Sequence, residues 1–145
     1  MKSIFYLLIV FILFACHDKK DQAQTTEKAE KVYDMYTPSE MANLMNEMYT
    51  YNEQLKKDII DGKIPTEFPE KFLNIHTAQL SDFKSRNETF KSFSNLYIQA
   101  EKEVFNPNSK VPIETRFNTA IGICISCHTT ECTGPIPRIK KLIIK

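Results

Sequence analysis

Residues Gly122 to Cys132 read GICISCHTTEC and hold three of the chain's four cysteines and one of its three histidines. Thiols and an imidazole at this density can bind a metal, exchange electrons as a dithiol, or add to an unsaturated cofactor. Within the stretch, Cys124, Cys127 and His128 form Cys-x-x-Cys-His, the spacing of c-type haem attachment. On a helix, Cys124 and Cys127 lie one turn apart on one face. Both sulfurs can then add to the two vinyl groups on one edge of a porphyrin. His128 follows directly, so a ring nitrogen can reach the iron axially.

Other chemistries compete for the same residues. A zinc site would recruit Cys124, Cys127, His128 and Cys132. Eight residues of helix span about 12 Å, so Cys124 and Cys132 reach one tetrahedral ion only if the helix unwinds. A redox dithiol prefers a helix N-terminus, where the dipole lowers the thiol pKa. This pair falls near a helix end, with no βαβ pattern around it. The bland alternative is a set of core cysteines, in which His128 is an odd passenger in an apolar stripe. Cys132 lies outside the haem-attaching unit.

The elements that must position these residues read as helices. Thr37 is an N-cap candidate, with Pro38 at the first helical position and Glu40 three residues on. Met41, Leu44, Met48, Tyr51, Leu55 and Ile59 then recur at gaps of three and four, and Gly62 can end the helix; the spacing predicts a helix over 38–61. A second period runs through Phe68, Phe72, Ile75, Leu80 and Phe83 into Phe90, Phe93, Leu96, Tyr97, Ala100 and Val104. Ser81 and Asn87 are N-cap candidates inside it, so a break or kink is expected between 77 and 88. The last helix starts near Pro112 or Ile113, and its stripe of Ile113, Phe117, Ala120, Ile121, Cys124 and Cys127 ends before Thr133–Pro137. RIKKLIIK, the closing segment, is basic and apolar without an evident role. No strand or repeat is visible. The expected fold is all-α, an antiparallel four-helix bundle, or three helices if the middle pair is continuous.

The 145 residues suffice for one compact domain, and 42 % hydrophobic and 26 % charged residues are ordinary for a soluble one. A formal net charge of +1 gives no nucleic-acid footprint. Lys2 and the apolar run Ile4–Phe14 read as an export signal, about half a membrane span long. LFAC, Leu13 to Cys16, resembles the lipobox of bacterial lipoproteins. That resemblance implies cleavage after Ala15, lipidation of Cys16 and an oxidising compartment. The expected organisation is a signal at 1–15, a lipidated N-terminus and polar tether at 16–36, a helical domain at 37–132 and a tail at 133–145. His17, in the tether, reads as solvated.

A Cys-x-x-Cys-His near the C-terminal end of a helical bundle resembles the class II c-type cytochromes, the cytochrome c-prime group. MANLMNEM in the first helix adds a second leg. The resemblance implies a Met or Leu at Met41, over the distal face of the haem. Met41 is then the candidate sixth ligand or distal contact, Met45 and Met48 weaker ones, and His76 the runner-up ligand. Unlike the family pattern, the chain continues past the motif with Cys132 and GPIPRIKKLIIK. Arg138 could reach a haem propionate, and Gly122 could admit a close approach. The function implied is a lipid-anchored, monohaem electron carrier without bond-making catalysis, exported and facing the periplasm or cell surface. Redox proteins at the membrane would be its partners, and a dimer stays open. Two alternatives remain. One is a five-coordinate haem protein that binds NO or CO. The other is a haem-free, lipid-tethered helical binding domain.

Overall fold

A computed structural model describes residues 37–81 and 83–145. The expected export signal, Cys16, His17 and the tether lie outside the described residues. Among the described residues the chain is all-helical, without a strand. Three long helices form: α1 (Glu40–Ile60), α2 (Glu88–Val104) and α3 (Ile113–Glu131). A 3-10 helix, Glu70–His76, stands between α1 and α2. After α3 come the single turn α4 (Ile136–Ile139) and a second 3-10 turn, Lys140–Leu142. No described helix is long and apolar enough to cross a membrane.

Helix α1 begins two residues later than its sequence signals suggest. Ser39, not Thr37, is the N-cap, and its hydroxyl accepts from the Ala42 N–H at 3.2 Å. Glu40 is drawn elsewhere: its carboxylate accepts from the Gln79 N–H at 2.8 Å, while the Met41 N–H donates to the Gln79 carbonyl at 3.0 Å. The first turn of α1 thus uses residues 78–81 as a partner strap instead of closing a local capping box. At the far end Gly62 takes φ +77°, the left-handed conformation expected of it.

The same strap explains the middle of the chain. The expected break is present, but the segment before it folds only as seven residues of 3-10 helix, with no side-chain cap at its start. Its place is fixed by aromatic packing. Phe72 meets Tyr51 edge-on at 5.2 Å and lies against Tyr97 at 6.4 Å, and Phe68 stands edge-on to Phe72 and Phe105. Arg86 closes the end by donating to the Ala78 carbonyl at 2.6 Å and the Ile75 carbonyl at 3.4 Å. Phe83 and Leu96, read as core positions from the period, are 81 % and 49 % exposed. Ser81 starts no helix, whereas Asn87 caps α2 by accepting from the Phe90 N–H at 2.7 Å.

Helices α2 and α3 form an antiparallel pair. Arg116, one turn into α3, donates through Nη1 to the Glu103, Val104 and Asn106 carbonyls at 2.6, 3.0 and 2.9 Å. It thereby serves the unpaired carbonyls at the C-terminus of α2. At the other end Asn87 donates to a Glu131 carboxylate oxygen at 3.3 Å. Phe117, Ala120 and Ile121, central in α3, are wholly buried.

The closing segment belongs to this core. Ile139 and Leu142 are buried among residues of α1 and α3. Lys56 of α1 donates to the Lys141 and Ile143 carbonyls, and Asn118 of α3 makes a reciprocal pair of hydrogen bonds with the Ile144 backbone. Leu142→Ala should therefore cost about 2–5 kcal/mol. Phe83→Ala, on an exposed ring, should cost about 0.5 kcal/mol or less. Urea midpoints of the two variants check this; equal midpoints would mean that the segment does not dock.

Candidate functional site

The site forms where the buried stripe of α3 runs out toward the surface. Cys124 follows Ile121 by three residues, and its thiol points into packed interior although the residue is only half-buried. Cys127 and His128 occupy the next turn, each partly exposed. The helix stays continuous through Glu131. Among the described residues no three His, Cys, Asp or Glu side chains converge as metal donors. Cys132 instead caps the helix in extended conformation, its thiol free and exposed.

One hydrogen bond sets the chemistry of His128. Its Nδ1 lies 2.8 Å from the Cys132 carbonyl. A carbonyl oxygen only accepts, so Nδ1 carries the proton. In the neutral ring this leaves the Nε2 lone pair free for an electrophile or a metal. Cys132 acts here through its backbone, a role that reading thiols alone misses. Side chains also hold the end of α3: Lys84 donates to the Glu131 carbonyl, and Thr130 to the Cys127 carbonyl at 2.9 Å.

Two cavities adjoin these residues, of about 90 and 40 Å³. Both are lined by Met45, Met48, Tyr97, Cys124 and His128. The larger reaches Arg138, Ile139 and Leu142, and the smaller is bounded by Phe93, Ser94 and Cys127. Met41 is buried in the core and lines neither cavity; Met45 and Met48, one and two turns further along α1, line both. His76 is half-buried on the 3-10 helix, with Nδ1 3.4 Å from the Ser94 hydroxyl. Arg138 lies over the Tyr49 ring at 3.9 Å and donates to Asn46 at 3.1 Å. A side chain added at Gly122 would meet open space, so no close approach requires that glycine.

Burial pushes the Cys124 thiol pKa far up, with the nearby Glu101 adding to the effect. Burial, and then Glu131, push Cys127 up to about 11. Both thiols are therefore protonated at neutral pH, unlike an attacking redox cysteine, whose thiolate must form readily. The pair presents two neutral sulfurs one turn apart on one helix edge, beside an imidazole with one nitrogen free.

Two buried polar residues near this edge are missed by motif and period alike. Asn52 and Glu101 sit inside the apolar stripes of α1 and α2, beside Tyr97, which the period includes. Asn52 donates to the Met48 carbonyl at 3.0 Å and to the Tyr97 hydroxyl at 3.4 Å. A polar residue at a core position of a helical period was their only available signal.

In the folded haem-free chain, iodoacetamide at pH 8 should modify Cys132 first, Cys127 slowly, and Cys124 only upon unfolding. Peptide mass spectrometry reads the order; equal rates would show that the Cys124 thiol is not enclosed. Comparison of the chain with protein families, curated proteins and solved structures finds no match.

Proposed function

We propose that this chain is a monohaem c-type cytochrome, a lipid-anchored electron carrier in which Cys124 and Cys127 hold haem c and His128 binds its iron. The observation that carries the reading is the α3 edge: two thiols one turn apart, followed by an imidazole whose Nδ1 proton is committed to the Cys132 carbonyl. A ligating histidine commonly gives its other N–H to a carbonyl in this way. The resemblance to class II cytochromes is consistent with an all-helical chain and a C-terminal motif. Within that reading the fold is a variant of the antiparallel bundle, with the 3-10 helix in place of the second long helix.

The donor set fits the group; the space is made by movement. Cofactor sites usually measure about 300–1,000 Å³, well above the two cavities present. Seating a porphyrin asks Met45, Met48 and the 135–142 segment to give way, and methionine side chains re-pack readily. When bound, haem supplies a ferric/ferrous couple, which moves electrons without making bonds to a substrate. The chain's own contribution is to fix the two thiols and the imidazole, to exclude water with Ile121 and Phe93, and to set the distal wall. Partners in this reading are redox proteins at a membrane face, with the lipid on Cys16.

A pyridine haemochrome spectrum of protein matured with a haem-c assembly system should show covalent haem. Its absence in mature protein would leave the haem-free helical binding domain as the reading. Met45→Ala should alter the reduced spectrum and open the iron to CO, because Met45 lines both cavities and is less committed to the core than Met41 or Met48. Met41→Ala should leave the spectrum unchanged. A wild-type reduced spectrum that is already high-spin and shifts with CO would select the gas-binding alternative.

A further inference from the structure

The core holds a group that electron transfer alone does not use. Glu101 of α2 is wholly buried, and neither of its carboxyl oxygens has a hydrogen-bond partner. The ion pairs among the described residues, Lys63 with Asp58 and Asp61, Lys71 with Glu47 and Lys91 with Glu88, do not include it. An unpaired buried carboxylate sheds its charge by taking a proton. Burial accordingly pushes Glu101 up to about 8, against a smaller opposing effect of Tyr97.

Its surroundings reach from α1 to α3. Tyr97 precedes it by one turn, with a hydroxyl that accepts from Asn52, and Asn52 Oδ1 is itself unpartnered. Burial holds the protons of Tyr51 on α1 and Cys124 on α3 more tightly, and both lie close enough to Glu101 for its charge to add to that effect. The 3-10 helix brings Phe72 against Tyr51 and Tyr97, while its titratable residue, His76, meets Ser94 two turns before Glu101. Asn52 and Tyr97 also line the cavity of about 90 Å³ that touches Cys124 and His128 and reaches exposed Arg138. Into that cavity the C-terminal segment brings the apolar Ile139 and Leu142.

From this cluster we infer that Glu101 is a redox-linked proton site. The inference rests on the haem reading above. As one electron arrives from a reducing partner, the Glu101 carboxylate takes one proton from solvent and forms an O–H bond. The bound haem would supply the ferric/ferrous couple, and proton uptake by Glu101 would leave the interior with no net gain of charge. When the electron leaves, the O–H bond breaks and the proton returns to solvent. The coupling is reciprocal: an electron beside Glu101 favours its protonated form, and a proton on Glu101 favours the reduced iron.

The test is the midpoint potential of the full haem-loaded protein between pH 6 and 10, in wild type and Glu101→Gln. The wild-type potential should fall as pH rises around 8, toward about 59 mV for each tenfold drop in proton activity. The variant, neutral at every pH, should lose that fall. An equal slope in both overturns the proposal while leaving the haem reading intact. Absence of covalent haem overturns both. Should Glu101→Gln fail to fold, redox-difference infrared spectra of wild type decide: a carboxylic C=O band should appear on reduction near pH 8 and shift in heavy water, and its absence overturns the proposal. A readout free of haem accompanies these. Folded Glu101 binds its proton more tightly than in the unfolded chain, so wild-type stability should decline from about pH 5 to 8, and the Gln variant should lose that decline.

Discussion

The wholly buried stripe of Phe117, Ala120 and Ile121 fixes the rotation of α3, and the site depends on that rotation. Once those three positions face the core, the helical period leaves little freedom further along. Cys124 must turn inward, and Cys127 and His128 must emerge at the rim one turn later. A rotation of α3 by a third of a turn would place the thiols in solvent. Arg116 and Glu131 pin the two ends of the helix against α2 and hold that angle. The chemistry of the α3 rim is thus set by packing one to three turns away.

Much of this was legible in the sequence because it is local. The Cys-x-x-Cys-His spacing, the period of α1, the positive-φ Gly62 and the Asn87 cap all depend on residues within a few positions of one another. What escaped prediction is long-range. Glu40 leaves its own helix cap because Gln79, distant in sequence, offers a better-placed N–H. The period through Phe68, Phe72 and Ile75 suggests a full helix, yet aromatic contacts with Tyr51, Tyr97 and Phe105 settle for a short 3-10 piece. The period also overreached at Phe83 and Leu96, which remain exposed.

The candidate site divides the same way. Cys124, Cys127 and His128 were visible as a motif. The Met residues opposite depend on how α1 passes α3, and a sequence period places Met41, Met45 and Met48 along one helix without saying which of them α3 meets. Cys132 looked like a surplus thiol because attention falls on side chains, whereas its part here is a carbonyl. Asn52 and Glu101 interrupt apolar faces beside Tyr97. Their meaning appears only when the two helices are side by side and the polar atoms are seen to face one another without enough donors.

The segment beyond α3 has a bearing on access. Its hold on the body of the domain consists of Ile139, Leu142, two hydrogen bonds from Lys56 and the Asn118–Ile144 pair. None of these ties involves α2. Thr133 and Gly134 precede the segment, both exposed, with open space around Gly134. Such a unit has its own opening free energy, smaller than that of the whole domain, since release breaks only its own contacts. Arg138, Ile139 and Leu142 form one wall of the larger cavity, so loss of the segment's contacts would uncover Cys124 without breaking the contacts between α2 and α3. In the haem reading proposed above, release of this segment would let a bulky planar molecule approach the enclosed thiol without melting the protein around it.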